Sequence, residues 1–130
     1  MNPRKRILIV EDSPVQALVL KETLLEYPLE VQWAPDGRIG LALAKYQLPH
    51  LIIMDVEMPE LNGLETCRRL KANEETRDIP VILLTVRTET DFVAEGLDAG
   101  AVDYIPKDAF STQVLLETMQ QLRILEPAGT

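Results

Sequence analysis

The sequence predicts an α/β domain, a five-stranded parallel sheet with helices on both faces. Three observations carry that expectation. Short, nearly unbroken aliphatic runs recur five times, as expected of strands buried on both faces. Segments with apolar residues at steps of three and four alternate with them. Pro, Ser, Asn and Gly punctuate the boundaries. Parallel neighbours need crossover connections, and the intervening helices supply them.

The first strand is Arg6-Ile7-Leu8-Ile9-Val10. Ser13-Pro14 starts the first helix, with Ser as N-cap and Pro in the first turn. Ala17, Leu20, Leu24 and Tyr27 then form one apolar face, and Pro28 stops the helix. Leu29 to Ala34 reads as a weaker second strand, and Asp36 to Tyr46 as a second helix rich in Ala and Leu. Pro49 breaks that helix before the third strand, Leu51-Ile52-Ile53-Met54. Glu57 to Asn62 reads as a loop, marked by Pro59 and Asn62-Gly63. A third helix runs from Leu61 or Gly63 through Ala72, with Cys67 expected as a small buried hydrophobe between Leu64 and Leu70. Glu74, Glu75, Arg77 and Asp78 suggest a polar surface loop. Pro80 opens the fourth strand, Val81-Ile82-Leu83-Leu84. Thr88 to Ala99 is expected as the fourth helix, closed by Gly100 in the left-handed C-terminal position. Ala101 to Ile105 is a short fifth strand, and Ala109 to Leu125 a last helix with Leu115, Met119 and Leu122 on one stripe.

At 130 residues the chain suits one domain, and 46% hydrophobic residues suffice for a single core. Residues 1–126 are expected to form that domain, with 127–130 as a tail or truncated linker. No apolar run approaches the roughly 18 residues of a membrane helix, and the run after Arg4-Lys5-Arg6 is too short for a secretion signal. The single cysteine excludes an internal disulfide framework and a cysteine zinc site. A net charge of −8 argues against nucleic-acid binding by this chain. These features point to a soluble cytoplasmic domain.

In open parallel sheets ligands bind beyond the carboxyl ends of the strands. Those positions hold Glu11 and Asp12 after the first strand and Asp55 after the third. Thr85 follows the fourth strand and Lys107 lies just past the fifth. Three like charges within a few ångströms require a counterion. Oxygen ligands without His or Cys favour a hard cation, and a few carboxylates plus water suit Mg²⁺. Asp55 ends a stiff apolar strand, which suits a carboxylate nucleophile. Phosphoryl transfer needs positioning and charge neutralisation, which a cation, Lys107 and Thr85 can supply.

The chain resembles the receiver domain of two-component response regulators. The resemblance is carried by Glu11-Asp12, the segment Leu51-Ile52-Ile53-Met54-Asp55-Val56-Glu57-Met58-Pro59, Asn62-Gly63, Thr85, Tyr104 and Lys107. It implies a flavodoxin-like (βα)5 fold with strand order 2-1-3-4-5. It implies that Asp55 accepts a phosphoryl group from a phosphohistidine on a sensor histidine kinase or a histidine phosphotransfer protein. Glu11, Asp12 and Asp55 would hold Mg²⁺, or Mn²⁺, through their side chains, and Glu57 through its backbone carbonyl. Lys107 would pair with the phosphoryl group or with Asp55. Thr85 would swing toward the phosphoryl group and Tyr104 would move inward with it, changing the surface of the fourth helix, fifth strand and fifth helix. Such a domain has autophosphatase activity but turns over no external substrate. It signals to a downstream effector domain or protein, with phosphorylation-dependent homodimerisation open.

Two positions depart from the usual family pattern. Val86 stands where a very small residue is common, and Asp108 follows Lys107 where Pro is usual. A cis Lys107–Asp108 bond would cost roughly 2.5–4 kcal/mol, so a trans bond and a different turn are expected. Glu57, Val86 and Arg87 are candidates for tuning the rate, with a Glu57–Arg87 ion pair across the site as the expected device. His50 precedes the third strand on the opposite edge and is expected to be structural or exposed. The alternative is a receiver-like protein-binding module that works without phosphorylation, and the five intact site residues argue against it. A Mg²⁺-dependent phosphatase would place a second aspartate where Glu57 stands. A flavin or dinucleotide carrier needs a Gly-, Ser- or Thr-rich loop in place of Glu11-Asp12-Ser13-Pro14.

Overall fold

The aliphatic runs pair with one another in the order β2-β1-β3-β4-β5, all parallel. In the computed structural model, which describes residues 3–87 and 89–126, they are β1 (Lys5–Val10), β2 (Leu29–Ala34), β3 (Leu51–Asp55), β4 (Val81–Thr85) and β5 (Asp103–Pro106). Between and after them run α1 (Pro14–Leu24), α2 (Gly37–Gln47), α3 (Gly63–Ala72), α4 (Thr90–Asp98) and α5 (Ser111–Gln121). The expected tail at 127–130 and the expected helix start at Thr88 lie outside the described residues. No helix among the described residues is long and apolar enough to cross a membrane.

Side chains alternate between the two faces of a strand, and here each face has its own core. Leu8, Val10, Ile52, Met54, Val81, Leu83 and Tyr104 pack with α2, α3 and α4. Ile7, Ile9, Leu51, Ile53, Ile82 and Ile105 pack with α1 and α5. β3 is buried along all five residues. Burying each such Ile or Leu stabilises the fold by about 1.5–3 kcal/mol, so β3 is held firmly and its last residue with it. Cys67 is fully buried, as expected, and its thiol reaches the Ala99 carbonyl at 3.4 Å.

Several boundaries differ from the sequence expectation. Asp36 lies outside α2 as its N-cap, accepting from the Ile39 N–H at 2.8 Å. Gly100 takes a left-handed conformation at φ 102°, as expected, and the Ala101 N–H then closes on the Gly96 carbonyl. Ala101 therefore belongs to the turn, and β5 begins two residues later. α5 ends at Gln121 because Arg123 adopts φ 61°, which turns Ile124 and Leu125 back onto the Met119 carbonyl. Its start shifts to Ser111 because Asp108 accepts the Phe110 N–H at 2.7 Å and forms the preceding turn. The bond before Asp108 is trans, as expected.

At the start of the chain Arg4 and Lys5 are exposed and Arg6 is half-buried. Arg6 donates to the Leu48 carbonyl at 2.9 Å and caps the end of α2. The His50 Nδ1 accepts the Arg6 N–H at 2.9 Å, so His50 ties β3 to β1 on the edge away from Asp55. Burial, and the nearby Arg6 and Lys5 charges, push the His50 pKa below its ordinary value. In the loop before β4, the Lys71 ammonium holds the Arg77 and Ile79 carbonyls at 2.9 and 2.6 Å.

Candidate functional site

The sheet register brings the strand ends together. Val10 lies beside Met54 and Asp55 beside Leu84, so the residues that follow β1, β3 and β4 share one edge. Glu11 and Asp55 are almost out of water, at 6% and 5% exposure, whereas Asp12 is exposed. Each of the three offers a carboxylate oxygen, all within 4.8 Å of one another. Burial and the neighbouring Glu11 carboxylate push the Asp12 pKa up. A cation relieves that kind of stress. The donor set is oxygen only and fits a hard divalent cation.

Glu11 is fixed from three sides. Its carboxylate accepts the Ser13 N–H at 3.1 Å, its N–H donates to the Ala34 carbonyl, and its carbonyl accepts the Trp33 indole N–H at 2.7 Å. Asp55 accepts the Glu57 N–H at 3.3 Å. Gly63 opens α3 hard against this turn: a Cβ there would lie 2.3 Å from the Asp55 carbonyl oxygen, so only glycine fits.

Lys107 is held by its backbone, its N–H donating to the Thr85 carbonyl at 2.7 Å. Its ammonium stands 3.1 Å from Glu11 and 3.2 Å from Asp55, and donates to the Gln16 amide oxygen at 2.7 Å. Burial works against the ammonium, yet the Asp55 and Glu11 carboxylates outweigh it and raise its pKa above the ordinary value.

Beside this cluster the end of β4 makes its own contacts with Glu57. Thr85 is fully buried, and its hydroxyl donates to the Glu57 carboxylate at 2.6 Å. The other Glu57 oxygen accepts the Val86 N–H at 3.1 Å. The expected Glu57–Arg87 ion pair is present but long, at 4.0 Å, and the Arg87 guanidinium lies over the Phe92 ring. Val86 is 66% exposed, at the mouth of the site. Tyr104 already lies inward, packed against Gly96, and its hydroxyl has no hydrogen-bond partner among the described residues. Burial raises its pKa, which the neighbouring Thr85 hydroxyl partly opposes.

The arrangement thus joins Glu11, Asp12, Asp55 and Lys107 in one cluster and Glu57, Thr85, Val86 and Arg87 in an adjoining one. Gln16 and Trp33 belong to the first and were not anticipated. An α1 glutamine and a tryptophan on an edge strand carry no sequence signal for such contacts.

The family model of the response regulator receiver domain matches residues 7–120. The chain belongs to that family. As a receiver it is 39% identical, over 117 residues, to the response regulator MprA of Mycolicibacterium vanbaalenii, covering 90% of this chain and 49% of that protein. It is 43% identical over 104 residues to histidine kinase P4 of Formosa agariphila, covering 80% of this chain and 8% of that protein. It therefore spans less than half the length of these two relatives. Its fold matches the receiver domain of a sensor histidine kinase from Pseudomonas aeruginosa, at a TM-score of 0.82 and 31% identity, over 92% of this chain and 97% of that one. That structure holds a magnesium ion in its active-site cleft. Receiver domains serve two-component signalling in both response regulators and histidine kinases, and are not conventional turnover enzymes.

Proposed function

We propose that this receiver takes a phosphoryl group from a phosphohistidine onto Asp55 and thereby switches the face formed by α4, β5 and α5. The observation that supports it most is the convergence of two buried carboxylates, Glu11 and Asp55, with Asp12 and the Lys107 ammonium at one sheet edge. An Asp55 oxygen attacks phosphorus, an O–P bond forms, the N–P bond of the donor breaks, and the imidazole nitrogen keeps the electron pair and takes up a proton. Glu11, Asp12, Asp55 and the Glu57 carbonyl would hold Mg²⁺ or Mn²⁺. When bound, the cation neutralises charge on the acceptor and on the transferring group. Lys107 neutralises the opposite side, and Thr85 donates a hydrogen bond to a phosphoryl oxygen. Tyr104 belongs to the switch, and Glu57, Val86 and Arg87 tune access and hydrolysis. The phosphoaspartate is lost by the domain's own autophosphatase activity.

The donor is a sensor histidine kinase or a histidine phosphotransfer protein, and the output is a downstream effector domain or protein. Incubation with a small acyl phosphate donor and Mg²⁺ is expected to give an acid-stable, base-labile adduct that Asp55→Asn abolishes. Persistence of the adduct in Asp55→Asn overturns the assignment.

A further inference from the structure

A hydroxyl has one proton to donate, and in this chain Thr85 gives its proton to Glu57. The contact is short for a hydroxyl on a carboxylate, 2.6 Å, which places it among charge-assisted hydrogen bonds of about twice the ordinary strength. The second carboxylate oxygen takes the Val86 N–H, so both donors at the end of β4 are spent on one side chain. Thr85 is locked further because its oxygen accepts the Arg87 N–H at 2.9 Å. Arg87 in turn lies over Phe92 on α4, with 4.6 Å between guanidinium carbon and ring centroid.

We infer that the Glu57 carboxylate is a positioning residue that acts through Thr85, as an internal anion that a phosphoryl group must displace. The inference rests on the reading of Asp55 as phosphoacceptor and Thr85 as a phosphoryl-binding group. Glu57 occupies the acceptor position that the phosphoryl oxygen requires. Binding of the new anion costs the Thr85–Glu57 hydrogen bond, and as the Glu57 carboxylate gives way the Val86 amide and the Arg87 guanidinium, which reaches Phe92 on α4, lose their anionic partner. Glu57 thereby raises the threshold for switching and couples its crossing to α4.

The competing account is plain repulsion between the Glu57 charge and an incoming anion. A double-mutant cycle separates the two. The probe is beryllium fluoride with Mg²⁺, titrated on the full chain. Glu57→Ala is expected to tighten binding roughly tenfold, the scale of one hydrogen bond to a charged group. In a Thr85→Val background, which deletes the hydroxyl at near-constant shape, the same change is expected to gain less than twofold. In Thr85→Ser, which keeps the hydroxyl, the gain returns. A second readout needs no metal: Glu57→Ala is expected to speed hydrogen exchange of the Val86 amide in the metal-free chain. Equal gains with and without the Thr85 hydroxyl, or unchanged Val86 exchange, overturn the latch while leaving the phosphoacceptor reading intact. A wild-type chain that binds no beryllium fluoride overturns the phosphoacceptor reading, and the latch's role with it.

Discussion

Lys107 stands within 3.2 Å of two carboxylates that are themselves nearly out of water, and it is the cation both of them touch. Its pKa lies above the ordinary 10.5, so its folded-state contribution is complete at neutral pH and fades only as pH rises through that higher value. Lys107→Met leaves Glu11 and Asp55 facing each other without a counterion. Breaking a buried pair from one side costs about 3–5 kcal/mol, and the partial exposure of Lys107 reduces this to about 1–3 kcal/mol. Urea denaturation of the metal-free variant is expected to show that loss, and Mg²⁺ to recover much of it. At this scale the sequence was legible where residue type and strand position coincide: Glu11, Asp12, Asp55 and Lys107 all sit at strand ends. Gln16 was not legible, because its role comes from α1 lying beside the loop after β5, a tertiary fact with no local pattern. The sequence pairs Glu57 with Arg87, whereas its nearer partner in the fold is Thr85, at 2.6 Å against 4.0 Å. Charge pairing is visible in a sequence, whereas a hydroxyl–carboxylate bond between the end of β4 and the loop after β3 is not.

α4 carries a notch made by a missing side chain. A Cβ on Gly96 would lie 2.4 Å from Cδ2 of the Tyr104 ring, so the inward ring depends on glycine there. Gly96→Ala is expected to destabilise the domain by about 1–3 kcal/mol, the usual penalty for overpacking, and to tilt the ring outward. In a Tyr104→Ala background the clash vanishes, and alanine's better helix propensity is worth about 1 kcal/mol in the opposite direction. Equilibrium denaturation of the four proteins, with Tyr104 ring exposure followed by NMR, checks both signs. If the two Gly96→Ala effects agree in sign, the notch is not what seats the ring. Strands β1, β3 and β4 were legible to within a residue, since their aliphatic runs have no competing reading. The ends of α5 were not: Asp108 and Arg123 set them by a side-chain turn and a left-handed backbone, against an apolar stripe that continues to Leu122 and Leu125.

For the molecule as a whole, anything that binds the folded chain and not the unfolded one raises its stability by mass action. Mg²⁺ at a hundred times its dissociation constant is expected to add about 2.7 kcal/mol to the unfolding free energy. NaCl at matched ionic strength, which only screens the net charge of −8, is expected to add far less. Urea titrations across a Mg²⁺ series, with Asp55→Asn alongside, measure the difference. The parallel fold itself was legible because strand and helix patterns alternate without interruption. The strand order came from the resemblance, since nothing local in β2 says that it lies outside β1. That fold has an electrical consequence. Each helix runs back against its strand, so all five begin at the edge where the carboxylates gather. The peptide dipoles of all five aim their positive ends there. The edge where Glu11, Asp12 and Asp55 gather is thus built on the positive ends of the helix backbones, and an arriving anion meets a field partly neutralised by the chain itself.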